Sequence, residues 1–213
     1  MKRLCLILAA LSCLTAGCAR SYTVRVNGFL ERGLSVPDKA AIYLAVDANS
    51  HNPIFQKEIK GKIEQLLARR GFSHAAKEDV ADYRLDFAFG INRREVTGFE
   101  PYYGPASSFG FGGYRRYYYG YGSYVPYAET YHDQWLTIRL SDTGRRNAAD
   151  KGKVVWVGEA ATTRYSADLR QNISYLLVGI FEYFGQDTRK QVAVTIDQSD
   201  PRIMRILQAE HQQ

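Results

Sequence analysis

The chain has 213 residues, enough for one domain with a sizeable core. Its net charge of +6 is spread over short pairs (Arg69-Arg70, Arg93-Arg94, Arg115-Arg116, Arg145-Arg146, Arg189-Lys190) and forms no block or stripe, which argues against nucleic acid as a partner. Four separated histidines, His51, His74, His132 and His211, lack the spacing that puts two ligands on one helical face, so no metal and no cofactor are expected.

In chain order the first element is an address and not a fold element. Lys2 and Arg3 precede an apolar run, Leu4 to Leu14, that ends in Thr15-Ala16-Gly17-Cys18. A basic start, about ten apolar residues and a small-residue cleavage site make an export signal, because spanning a bilayer takes roughly twenty apolar residues. With Cys18 directly after Ala16-Gly17 the site resembles a bacterial lipobox, in which the cysteine is acylated and the segment 1–17 is removed. It departs from the usual pattern at Thr15, where Leu, Val or Ile commonly stands, with Leu14 one place earlier. Two other readings stand beside it: ordinary cleavage near Ala16 or Ala19, giving a soluble periplasmic protein, and an uncleaved anchor. On the lipobox reading, residues 18–213 form a single periplasmic domain of 196 residues and +4 charge, attached to a membrane through Cys18. Ala19 follows the cysteine where an Asp signals inner-membrane retention in enterobacterial lipoproteins, so the analogy points to the outer membrane. Cys5 and Cys13 leave with the signal, and stability must then come from packing and not from disulfides.

Tyr22 to Val26 and Ala40 to Asp47 read as strands. Asn52-Pro53 is a helix start, with a capping side chain and a proline where no amide donor is needed. Ile54, Phe55, Ile59, Ile63, Leu66 and Leu67 recur at helical spacing, Lys57, Glu58, Lys60, Lys62 and Glu64 take the other face, and Gly71 ends the helix. Asp82 to Phe89 alternates as a third strand. Gln134 to Leu140 and Val154 to Ala160 make a second strand pair, followed by a helix capped by Ser166 or Asp168 and bearing Leu169, Ile173, Leu176, Leu177, Ile180, Phe181 and Phe184 on one face. Gln191 to Ile196 is a last strand, and Asp200-Pro201 starts a short C-terminal helix. The order strand-strand-helix-strand thus occurs twice, and predicts an α+β fold: a mixed sheet of about six strands with two helices packed on one face.

Between the two units, Gly98 to Tyr127 holds nine of the sixteen tyrosines and seven glycines. Glycine at that density predicts a flexible insert without regular structure, whose rings cannot all be buried. Four uses compete for it. Tyr114, Arg115, Arg116, Tyr117, Tyr118, Tyr119 and Tyr121 could stack on the sugars of peptidoglycan or lipopolysaccharide and pair with their phosphates or carboxylates. The segment could instead dock a protein, lie at a membrane interface, or act only as a spacer. No oligomeric state follows from the sequence.

Catalytic motifs are missing from the pattern. His132 and Asp133 are neighbours in a strand and point to opposite sides, so they cannot act as base and orienting carboxylate. Gly110-Phe111-Gly112 and Gly120-Tyr121-Gly122 lack the third glycine of a dinucleotide turn, and Ser123 has no glycine two places on. Asp82, Asp86 and Glu159 could share a sheet face, where carboxylates are ordinarily solvated. Trp135 and Trp156 read as core or cross-strand packing residues. No enzyme activity is expected.

From Tyr22 to about Asp187 the chain resembles a family of bacterial envelope lipoproteins catalogued only as a domain of unknown function. The likeness lies in Tyr22-Thr23-Val24-Arg25-Val26-Asn27-Gly28, Asn52-Pro53, Lys57-Glu58, Lys62-Ile63-Glu64, Arg70-Gly71-Phe72, Ala81-Asp82-Tyr83, Leu136-Thr137-Ile138-Arg139-Leu140 and Val154-Val155-Trp156-Val157-Gly158. The resemblance implies a cell-envelope lipoprotein with a small α+β domain and brings no known activity or catalytic residues. The aromatic insert itself suggests scaffolding or binding of another envelope component, with a glycan-binding module as the alternative and an envelope hydrolase third.

Overall fold

The computed structural model of the protein describes residues 21–37, 39–47, 50–102, 123–145 and 147–210. Its strands are β1 (Ser21–Leu30), β2 (Ala41–Leu44), β3 (Ser73–His74), β4 (Tyr83–Tyr102), β5 (Ser123–Asp142), β6 (Val154–Arg164) and β7 (Val192–Asp197). Its helices are α1 (Pro53–Arg69), α2 (Leu169–Glu182) and α3 (Pro201–Glu210). The fold is α+β: one mixed seven-stranded sheet in the order β3-β2-β4-β5-β6-β1-β7, with the helices on one face.

Helix boundaries fall where capping chemistry puts them. The Asn52 side chain accepts from Phe55 N at 3.0 Å with Pro53 at the first position. At the other end Gly71 takes φ +86°, and the amides of Gly71 and Phe72 bond to Ala68 and Leu67, closing the last carbonyls. Asp168, and not Ser166, caps α2 by accepting from Gln171 N.

The two units match in element order and differ in pairing. β1 does not pair with β2; it runs between β6 and β7, antiparallel to both, while β2 pairs in parallel with β3 and β4. The ten residues separating β1 from β2 are too many for a tight hairpin, and they carry the chain across the sheet, so that Val24 and Val26 become central core residues. The seventh strand is the two-residue β3, and α3 joins the helical layer by burying Ile203 and Ile206.

α2 is buried over most of its circumference. It packs on β1, β5, β6 and β7 with Ile173, Leu176, Leu177 and Ile180, and it also touches α1 and α3; Tyr175 is buried with its ring stacked on Tyr22 of β1 at 3.9 Å, and Val178 is buried as well. Each fully buried aliphatic side chain contributes roughly 1.5–3 kcal/mol, so this helix holds the layer together. Two departures from the expected α1 pattern follow from that arrangement. Lys62, placed by periodicity on the polar face, is 3% exposed and bonds to Ser174 Oγ at 3.2 Å and to Glu58 at 3.2 Å. Ile54, placed on the apolar face, is 81% exposed, because at 3.6 residues per turn it lies opposite Ile63 and outside the buried arc of Ile59, Lys62, Ile63, Leu66 and Leu67.

Candidate functional site

β4 and β5 are each 20 residues long and pair without a register break from Tyr83↔Asp142 to Tyr102↔Ser123. The neighbour of β5 stops earlier: the last β5–β6 pair is His132↔Arg164. Among the described residues only two strands continue beyond that row, so residues 94–102 and 123–131 form a ribbon that leaves the sheet, about 30 Å long at ~3.3 Å per residue. This revises the expected insert. The irregular segment does not begin at Gly98, since 98–102 and 123–127 are strand.

Two cross-strand pairs explain how glycines sit in that ladder. Gly90 lies opposite Trp135 and Gly98 opposite Tyr127, each ring covering its glycine. A Cβ on Gly90 would stand 2.7 Å from the Trp135 ring, and one on Gly98 2.6 Å from the Tyr127 ring. Gly90→Ala is therefore expected to destabilise the protein by about 1–3 kcal/mol through overpacking, read as a lower urea midpoint at unchanged slope. An unchanged midpoint would show that the ring is not held there.

The two ends of the ribbon differ in chemistry. At its base Arg93 pairs with Glu95 at 2.6 Å, Arg94 with Asp133 at 3.3 Å, and Tyr131 stacks on Tyr165 with their hydroxyls 3.1 Å apart. The Tyr131 hydroxyl also donates to Glu129, and that bond, with Tyr165 second, raises the phenol above its ordinary value. Farther out, Phe99 is 71% exposed and Tyr124 69% exposed. Alternation places Phe99 and Tyr124 on the face that, within the sheet, carries Phe87, Phe89 and Leu136 against the helices.

Among the described residues, clefts adjoin the helical layer at both ends of α1. One, of about 670 Å³, opens at the ribbon base between the first turns of α1 and α2, lined by Ile54, Phe55, Phe89, Ile91, Glu58 and Arg170. Phe55 and Phe89 meet edge to face at 5.2 Å, and Glu58 is held by Arg170 at 2.7 Å and by Lys62. Its walls are mainly apolar and its charges already paired, which suits a nonpolar ligand better than proton transfer. The other, of about 230 Å³, gathers Arg69, Arg70, Arg202, Arg205 and Glu182 where α1, α2 and α3 meet. Arg70 donates to the Phe181 carbonyl; burial lowers its pKa, opposed by Glu182.

Arg202 sits between Asp200, at 2.8 Å, and Glu182, at 3.0 Å. The hydrogen bond from Arg202 holds the Asp200 carboxyl below its ordinary value. A depressed carboxylate contributes stability above its unfolded pKa and loses that contribution as pH falls through the folded one. Asp200→Asn should therefore lower the thermal midpoint at pH 7, and the difference from the parent should shrink below about pH 4. A difference constant from pH 7 to pH 2 would contradict the pairing.

Of the residues singled out by sequence, Cys18 and Tyr114, Arg115, Arg116, Tyr117, Tyr118, Tyr119 and Tyr121 lie outside the described residues. The three carboxylates have separate structural partners. Asp82 accepts from Ala41 N at 2.9 Å and pairs with Arg145, Asp86 is gripped by Arg84, and Glu159 accepts from Asn27. Among the described residues no cluster of three or more His, Cys, Asp or Glu is placed to hold a metal. The sequence reading missed the ribbon. Its signal was present in Val96-Thr97, Val125 and Thr130-Tyr131, β-favouring residues on either side of the glycines.

An α+β domain with a one-sided helical layer and a long two-stranded ribbon is the class that this geometry defines. The chain belongs to the family described as domain of unknown function DUF4136, whose model matches residues 27–184. No curated protein sequence matches it. Among solved structures it is similar to a PDZ domain protein from Parabacteroides distasonis, at 11% identity and a TM-score of 0.50, over 90% of this chain and 42% of that one. The chain thus spans well under half of that protein, and the likeness concerns the fold alone. A DUF4136 family protein from Bacteroides thetaiotaomicron matches at 17% identity and a TM-score of 0.40, over 75% of this chain and 92% of that one. The PelC dodecamer from Paraburkholderia phytofirmans matches at 14% identity and a TM-score of 0.42, over 78% and 99%.

Proposed function

We propose that this chain is a non-enzymatic lipoprotein of the bacterial envelope, held in the outer membrane through acylated Cys18, facing the periplasm and binding another envelope component through the β4–β5 ribbon. The observation that supports binding through the ribbon is the run of paired strand beyond the last β6 partner, ending in exposed Phe99 and Tyr124. A two-stranded ribbon is only marginally stable by itself in water, so a surface that covers its apolar side would stabilise it. The lipobox-like Thr15-Ala16-Gly17-Cys18 supports the location.

The test is photo-crosslinking in cells that make the full chain, with the reactive residue at Tyr124 or, as a comparison, at exposed Arg139 on the open sheet face. One envelope species captured from Tyr124 only, and lost in a Cys18→Ala chain, is the expected result. Capture of sacculus glycan would identify the component as a sugar polymer. Equal capture from both positions, or none from Tyr124 in a folded chain, would refute binding through the ribbon.

A further inference from the structure

The register of the sheet fixes which end of the domain the anchor enters. Ser21, the first residue of β1, pairs with Asp197 of β7, and continuing the β1–β6 register from Arg25↔Ala161 puts Ser21 level with Tyr165. Tyr165 contacts Tyr131, which lies opposite Arg94. The row Asp197, Ser21, Tyr165, Tyr131, Arg94 is therefore the end of the sheet from which the ribbon departs. Cys18 is three residues before Ser21, a reach of at most about 10 Å. On the same scale Phe99 lies about 16 Å beyond the row and Tyr124, opposite Pro101, about 23 Å beyond it. If Cys18 carries lipid, its backbone sits at the headgroups of the bilayer, and a ribbon leaving the same end outreaches the tether.

Residue placement on the ribbon matches that position. Beyond the Glu95↔Thr130 pair, one face carries Thr97, Ala128, Phe99, Pro126, Pro101 and Tyr124, none of them charged. The opposite face carries Val96, Gly98, Val125 and Tyr127 with Glu100 and Glu129. Among the described residues both strands have a free edge here, and unpaired backbone groups cannot enter hydrocarbon. The ribbon is thus suited to lie at the interface and not to span. Pro101 and Pro126, which lack an amide donor, also make strand addition by a second copy poor.

We propose that the distal ribbon is a membrane-interface arm: its uncharged face, with Phe99 and Tyr124, rests among the lipid headgroups of the bilayer that holds Cys18. This deepens the functional reading, since it rests on acylation of Cys18 and names the component that the ribbon touches as lipid. Tyrosine and phenylalanine favour that layer, and the charged pairs at the base, Arg93–Glu95 and Arg94–Asp133, stay in water above it.

The test uses the full-length, natively processed protein purified in detergent and returned to vesicles of phosphatidylethanolamine and phosphatidylglycerol, with part of the lipid brominated on the acyl chains. An environment-sensitive fluorophore is attached to Tyr124→Cys, to Phe99→Cys or, at the opposite end of β1, to Leu34→Cys. Roughly an order of magnitude more quenching at 124 and 99 than at 34 is expected, since a label at headgroup depth touches the upper acyl chain and one at the far end of the domain does not. Vesicle-bound protein with equal, weak quenching at all three positions would overturn the arm and leave the anchor standing. Protein that bears no acyl mass on Cys18 and fails to float with vesicles would overturn both. In the same variants left unlabelled and returned to vesicles, a disulfide-linked dimer through position 124 or 99 would assign the face to a second copy and overturn the lipid contact.

Discussion

Trp156→Ala is expected to lower the stability of the domain by about 5 kcal/mol, enough to unfold a large fraction of it at 37 °C if total stability lies in the usual range of roughly 5–15 kcal/mol. Trp156 is 1% exposed, near the start of β6. Its Nε1 donates to the Gln186 carbonyl at 3.0 Å, and its ring lies against Phe184 at 4.8 Å between centroids. The ring fills a notch that two strand positions leave open: a Cβ on Gly158 would be 2.2 Å from it, and one on Gly28 3.5 Å from its nitrogen. With glycines at both positions, neither of those two strand positions offers a side chain to fill the space. Cavity formation alone costs about 3–5 kcal/mol for a buried aromatic, and the orphaned Gln186 carbonyl adds about 1–3. Trp156→Phe keeps most of the packing and loses the hydrogen bond, so its cost should be less than half as large. Urea unfolding followed by circular dichroism measures both. A loss under about 1 kcal/mol for the alanine variant would mean that the notch collapses without help from the ring.

What the sequence made legible follows from the range over which each signal acts. Asn52-Pro53, Gly71 and Asp168 are local chemistry: a capping oxygen meets an amide three residues on, and a left-handed residue closes a turn, whatever the rest of the chain does. These boundaries and the α+β class could be read directly. The placement of β1 between β6 and β7 could not, because Tyr22 to Val26 looks the same beside any partner strand. Lys62 shows the same limit inside a helix. Its spacing puts it with the charged residues, but α2 arrives from far along the chain to cover it with Ser174. The ribbon failed for another reason. Glycine density over the whole stretch from Gly98 to Tyr127 predicts no regular structure, whereas Gly98 is compatible with a strand once Tyr127 covers it from the facing strand. Composition averages over a window, and a cross-strand pair joins two windows.

Cys18→Ala is expected to abolish acyl incorporation, to leave the seventeen-residue signal attached and to remove the chain from the outer-membrane fraction. The size of the effect comes from what would hold the protein there. Each buried methylene of an acyl chain contributes about 0.8 kcal/mol, so the acyl chains of a lipoprotein cysteine, two on its thiol and one on its amino group, would exceed anything that the polypeptide offers. The uncharged ribbon face offers Phe99 and Tyr124 and a few smaller groups, at about 1.5–3 kcal/mol per large side chain, which gives weak and reversible contact. The uncleaved signal does little better: Leu4 to Leu14 as a helix covers about 16 Å, half the thickness of a hydrocarbon core. On the proposed arrangement, retention would belong to Cys18 and orientation to the ribbon. Fractionation combined with mass spectrometry of the amino-terminal peptide reads the outcome. A Cys18→Ala chain found in the outer membrane at the parental level would sink the lipid anchor, and with it the reason for placing the ribbon end of the sheet against a bilayer.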